Sequence, residues 1–239
     1  MTNPLITKLE RRDALSVEER AALEHVLESP RTAPAGTHLL RQGDRPEKST
    51  LLLSGFAARY VILADGGRQY TQISLPGDFV DLHSFLMKQM DHGVVTLTDC
   101  VVASADPGAL RALTDRHPHL ARLLWLETVI DGGIHRQWIT ALGRRDALGR
   151  LALIICETFK RLEHAGQAEN LTFALPITQV DLADVIGLSP VHVNRTLMAL
   201  RAMRALEWKG DRCTILDWER LSALAEFDPT YLRLHREPV

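Results

Sequence analysis

The segment Thr178–Leu200, TQVDLADVIGLSPVHVNRTLMAL, holds the side chains best suited to chemistry, and that chemistry is the reading of base edges rather than the making of bonds. Thr178 with Asp181 three residues later is a helix-capping pattern, Gly187 accepts the backbone of a tight turn, and Ser189-Pro190 is a cap followed by the one helical position that suits proline. Leu182, Ala183, Ile186, Leu188, Val193, Leu197 and Leu200 then share one inward face. Val191, His192, Asn194, Arg195, Met198 and Arg201 are left facing outward on the second helix. An arginine there can donate two parallel hydrogen bonds to guanine, and asparagine or histidine can read a base edge or hold a phosphate. Thr178, Gln179 and Ser189 at the helix starts, and Lys209 in the following Lys209-Gly210-Asp211-Arg212 hairpin, complete the expected DNA-binding set. Helix pairs of this kind also occur as plain packing units, so a winged helix that binds protein stays open as an alternative.

A net charge of -2 does not advertise a nucleic-acid binder, but the charge is unevenly placed. From Pro190 to Arg212, five cations (Arg195, Arg201, Arg204, Lys209 and Arg212) face only Glu207 and Asp211. Catalytic and metal chemistry find less support. Cys100, Cys156 and Cys213 lie far apart with no Cys-x-x-Cys pair, which argues against a disulfide framework, a zinc ribbon or a local iron-sulfur cluster and favours buried small hydrophobes. The histidines, among them His38, His83, His92, His117, His119 and His135, form no recognised ligand spacing. The expectation is therefore no catalytic residue, no metal and no identifiable cofactor, with any small-molecule effector unknown. A metal-dependent double-stranded β-helix enzyme is the rival reading, and it lacks the His-x-His pair and following carboxylate it would need.

Elements must position these side chains. Ser16 and Glu19 have capping-box spacing and begin a short N-terminal helix. From about Pro30 to Pro107, short β-rich runs are punctuated by Gly36, Gly43, Gly55, Gly66-Gly67, Gly77 and Gly93, the texture of an antiparallel barrel or jelly roll. Its clearest hairpin runs from Arg59 to Leu63, turns at Asp65-Gly66-Gly67, and returns from Arg68 to Ile73. His117–Leu142 reads as one long helix. Its apolar stripe, Leu120, Leu123, Leu124, Ile130, Gly133, Ile134 and Trp138, is the expected dimer seam; a kink at Gly132-Gly133, or packing on the chain's own barrel, are the other readings. Each glycine costs a helix about 1 kcal/mol relative to alanine, which close approach of a partner helix would offset. Gly143 is the expected hinge. The domains are accordingly a sensor barrel over 1–116, a dimerisation helix over 117–143 and a winged helix-turn-helix over 144–239.

Taken with Leu75-Pro-Gly-Asp-Phe-Val80 and Leu97-Thr-Asp-Cys100, the Thr178–Leu200 motif resembles the cyclic-AMP receptor and fumarate-nitrate-reduction regulator (Crp/Fnr) family of bacterial transcription factors over nearly the whole chain. The resemblance implies an α+β fold with a cyclic-nucleotide-binding-type barrel, a long dimerisation helix and a winged helix. It also implies a homodimer on an inverted-repeat operator in double-stranded DNA, with RNA polymerase as a further partner. It places an effector pocket near Gly77, Asp78, Phe79, Val80 and His92. Members that bind cyclic nucleotides carry Gly-Glu and Arg-Ser/Thr-Ala there. This chain has Asp78 after Gly77 and His92-Gly93-Val94 near the arginine's place, so tight capture of a cyclic phosphate, and control by cyclic AMP, are not expected. Val191 stands where the family often has a base-reading glutamate, so the usual half-site is not expected either.

The 46% hydrophobic and 24% charged fractions are those of an ordinary folded chain, with no run long enough to span a membrane and no signal-peptide pattern. A cytoplasmic regulator, not an enzyme, is the resulting expectation.

Overall fold

A computed structural model describes residues 3–87 and 89–238, and the chain divides into two compact units. The first comprises residues up to Val61, Gln72–Gly132 and Arg233 onward; the second comprises Ile62–Thr71 and Gly133–Leu232. The architecture is α+β.

The first unit begins with α1 (Pro4–Glu10) and α2 (Val17–Val26). Seven strands follow: β1 (Arg31–Ala33), β2 (His38–Leu40), β3 (Ser49–Ser54), β4 (Ala57–Ile62), β5 (Arg68–Ser74), β6 (Gly93–Thr96) and β7 (Cys100–Ala105). They form two sheets, ordered β1-β7-β3 and β2-β6-β4-β5, with the registered pairs antiparallel, as the turn spacing predicts. The β4–β5 turn closes with Leu63 N–H donating to the Gly67 carbonyl at 2.7 Å, and Gly66 takes φ +84°. A 3-10 helix, Leu82–Phe85, lies between β5 and β6; α3 (Pro107–Arg116) and α4 (Pro118–Arg144) follow β7.

The capping box of α2 is present, with Ser16 Oγ accepting from Glu19 N–H at 3.1 Å and Glu19 Oε2 from Ser16 N–H at 2.8 Å. Helix α1 has no such signature beyond Asn3, whose side chain caps it, and proline at its first position. Its Leu5, Ile6 and Leu9 are sealed into a core with Leu51, Phe79, Leu120, Leu123 and Leu124. Lys8 pairs with Asp78 at 2.7 Å and with Glu127. Gly77 is required here twice over: its φ is +92°, and a Cβ would stand 2.9 Å from the Pro4 carbonyl oxygen.

This packing corrects the expected seam. Leu120, Leu123, Leu124, Ile130, Ile134 and Trp138 are all 5% exposed or less within their own chain, so the broad stripe faces the chain's own core. A helical period reveals an apolar face but not what covers it. The apolar side chains that α4 leaves outside are Trp125, Val129 and Ile139, at 70%, 50% and 69% exposure.

The second unit holds the C-terminal half of α4, then α5 (Ala147–His164), β8 (Ala168–Glu169), β9 (Thr172–Ala174), α6 (Gln179–Ile186), α7 (Pro190–Ala202), β10 (Leu206–Lys209), β11 (Arg212–Ile215) and α8 (Trp218–Ala225). Its strands order as β10-β11-β9-β8. Gly143 is not the break: α4 continues through it to Arg144, and Asp146 caps α5 by accepting from Gly149 N–H. Gly133 admits this chain's own Tyr231, whose Cβ would lie 3.3 Å from an added Cβ, rather than a partner helix. Buried Glu157 gathers the Trp138 indole N–H at 3.2 Å, the Tyr231 hydroxyl at 2.8 Å and Arg161 at 3.4 Å, so Trp138 is fixed inward by a hydrogen bond as well as by area.

Two outcomes follow for the first unit. His119, at the start of α4, bonds Glu19 at 2.8 Å and Asp13 at 3.1 Å. Burial lowers its pKa, but the hydrogen bonds and charges of these carboxylates outweigh that and leave it above the ordinary 6.5. A raised folded value means that the stabilisation is complete below the unfolded value and lost as pH rises through the folded one. Denaturation of the full chain across that window should show a decline that His119→Gln flattens. In β6, a Cβ on Gly93 would fall 2.2 Å from Tyr60 Cζ, in a ring held by the 2.8 Å contact of its hydroxyl with His38. Gly93→Ala should cost about 1–3 kcal/mol by chemical denaturation.

Candidate nucleic-acid interface

The two helices of the motif are set by local capping. Thr178 Oγ1 accepts from Asp181 N–H at 3.1 Å, and Asp181 Oδ2 accepts from Thr178 N–H at 2.9 Å, a reciprocal box. Gly187 ends α6 at φ +67°, ψ 39°, a conformation that suits glycine. Ser189 Oγ accepts from His192 N–H at 3.3 Å, and Pro190 opens α7. Leu182, Ala183, Ile186, Val193, Leu197 and Leu200 are buried beneath both helices, as their spacing predicts, and Leu188 is half-buried.

Above this core the expected DNA-binding residues separate by what they touch. Val191, His192, Arg195 and Met198 stand exposed on α7. Arg195 has no hydrogen bond or ion pair among the described residues, so its whole guanidinium fork is available. Asn194 Nδ2 donates to Gln179 Oε1 at 3.2 Å, and that bond fixes the start of α6 against α7. Thr178 and Ser189 are engaged as caps and so position the helices. Arg201 donates to the Trp208 carbonyl at 2.8 Å, which ties α7 to the first wing strand. Lys209 is at the wing tip, 2.5 Å from Glu207 with both side chains exposed, an ion pair in full solvent that competes weakly with a phosphate. The wing turns through Gly210 at φ +59°, with Lys209 opposite Arg212.

The sequence did not foretell what holds α6. The tip of the β4–β5 hairpin belongs to this unit, and its Arg68 bonds Asp184 at 2.6 and 2.7 Å while stacking over the Tyr70 ring at 4.5 Å. Gln69 Nε2 donates to the carbonyls of Asp184 at 2.7 Å and Val185 at 3.0 Å, groups that the last turn of a helix leaves unpaired. Complementary charges, arginine on a hairpin and aspartates on a helix far along the chain, were the available signal.

Gly77, Asp78 and Phe79 line a crevice of about 10 Å³, roughly the space of one water. Asp78 is turned to Lys8 and to the Leu75 N–H. Phe79 and Val80 are buried, and the backbone of Gly77, Asp78 and Val80 is hydrogen-bonded to β3 at 2.8–2.9 Å. The cause is the covering helix α1 together with Arg59 of β4. Arg59 is itself buried and donates to the Val80 carbonyl at 2.8 Å, Gln72 Oε1 at 2.5 Å and the Phe79 carbonyl at 3.3 Å, and it pairs with Asp131 at 2.9 Å. His92 lies beside Asp91 and His83. The histidines were expected to be dispersed, and the fold brings these two together.

Comparison with known proteins agrees with this geometry. The cyclic nucleotide-binding domain family matches residues 30–117, and the Crp-like helix-turn-helix domain family matches residues 149–224. The chain is 31% identical to the nitrogen fixation regulation protein FixK of Bradyrhizobium diazoefficiens over 179 residues, 73% of this chain and 72% of that protein. It is 27% identical to the transcriptional activator protein FnrL of Cereibacter sphaeroides over 208 residues, covering 85% and 83%. The structure of FixK2 from Bradyrhizobium japonicum superposes with a TM-score of 0.74 at 24% identity, over 82% of this chain and 96% of that one. No described helix is long and apolar enough to cross a membrane. With a barrel and a capped helix-turn-helix matched in the same order by family, relatives and fold, the chain belongs to the Crp/Fnr family of DNA-binding transcriptional regulators.

Proposed function

We propose that the protein acts in the cytoplasm as a homodimer on an inverted repeat, that α7 reads each half-site, that bound dimers engage RNA polymerase, and that cyclic AMP is not the controlling signal. The observation that carries this reading is Arg195: exposed and unpaired on α7, two residues beyond the first turn, over a core that leaves the helix no freedom to roll. Val191 beside it offers apolar contact to a thymine methyl, so the half-site combines a guanine with an A·T pair. His192 and the wing residue Lys209 supply the neighbouring polar and phosphate contacts.

Support for the dimer comes from Trp125, Val129 and Ile139, which fall along one face of α4 and stay exposed. Apolar side chains left exposed along one helix face favour a partner there. Two copies joined there would place half-sites about one helical turn apart. The reading on cyclic AMP is supported by Arg59 and Asp78, whose polar atoms are already engaged by the protein.

Selection from random-sequence DNA should enrich an inverted repeat. Arg195→Ala should then weaken binding of the winner by about tenfold or more, 1–3 kcal/mol, and relax the preference at one symmetric position. A uniform, salt-insensitive interaction, unchanged in Arg195→Ala, would instead mark the winged helix as a protein-binding module. Trp125→Glu with Ile139→Glu should convert the protein to a folded monomer by sedimentation and abolish cooperative occupation of the repeat. A dimer that survives both changes sinks the α4 seam.

A further inference from the structure

We propose that the first unit carries a site for a divalent transition-metal ion, with His83, His92 and Asp91 as its ligands. His83 lies in the 3-10 helix and His92 immediately before β6, and their rings sit 5.0 Å apart, tilted by 44°. One ligand atom from each of the three residues lies within 4.8 Å of the other two.

Two orphan atoms point to an occupant. The Nε2 atoms of His83 and His92 are both buried without a hydrogen-bond partner. An unsatisfied buried polar atom costs about 1–3 kcal/mol, and two of them on facing rings is an arrangement that one cation resolves at once. The Asp91 carboxylate, 2.6 Å from His92 Nδ1 and 74% exposed, is free to turn from that hydrogen bond onto the ion. The nearby cation Arg59 does not oppose occupancy at full strength, because Asp131 pairs with it at 2.9 Å.

The donor set selects the class of ion. Two imidazoles and a carboxylate suit zinc, nickel, cobalt or ferrous iron rather than magnesium or calcium. Ligand distances of about 2.0–2.1 Å require the side chains to close by on the order of an ångström, within reach of rotamer adjustment. Three protein ligands leave a coordination position for water or an exchangeable small ligand. Because the ligands come from both ends of the segment 83–92, occupancy clamps the 3-10 helix to the start of β6. This site is independent of the DNA-binding reading.

The test uses full-length protein stripped with a chelator and titrated with cobalt(II), then zinc(II). The expected result is one equivalent per chain, with a saturable visible spectrum of nitrogen and oxygen ligation that zinc displaces, and a rise in Tm. His92→Gln and Asp91→Asn should each weaken zinc by about tenfold or more, while His25→Ala, exposed on α2, changes nothing. Asp91 is 74% exposed, so Asp91→Asn stays informative even where a histidine variant does not fold. No saturable binding to the wild type, or unchanged affinity in both Asp91→Asn and His92→Gln, overturns the site.

Discussion

A guanidinium sealed inside a barrel must have its donors matched, and Arg59 imposes that condition on everything around it. At 4% exposure it has little water to turn to. An unmatched buried charge costs several kcal/mol, so the Phe79 and Val80 carbonyls, Gln72 and Asp131 are held where they are by need. The chain from Gly77 to Val80 is hydrogen-bonded along β3, and α1 packs over it. Asp131 balances the Arg59 charge from within the unit.

In the second unit the constraint is capping rather than charge burial. Helices of eight and thirteen residues, α6 and α7, are too short to be stable alone, and each derives its start from a side-chain oxygen and its orientation from shared leucines and valines. The reading surface is therefore rigid by construction. Side chains that were candidates for base contact divide into those that build the surface, Thr178, Ser189, Asn194, Gln179 and Arg201, and those that project from it, Val191, His192, Arg195 and Lys209.

Whatever is written locally was legible in the sequence. Capping boxes at Ser16 and Thr178, the turn at Gly66 and the break at Gly187 each depend on residues within a few positions of one another, and all stand where the spacing put them. Long-range facts were not legible. The stripe of α4 announced itself, but α1, which covers much of it, has only Asn3 and Pro4 to mark it. Gly133 reads as a place of close approach, and it is one, yet Tyr231 of the same chain is what approaches. His83 and His92 are strangers by spacing and neighbours by folding, because no sequence motif links them.

Cys156 on α5 and Cys213 on β11 bear on how this domain meets oxidants. Both are fully buried, and burial pushes each thiol up to about 12, so almost no thiolate exists to react. Oxidants and alkylating agents gain access only while the domain is transiently open, so the rate at which these sulfurs are modified measures breathing of the winged helix. Two inert cysteines thereby become a native clock for local unfolding, with no label added.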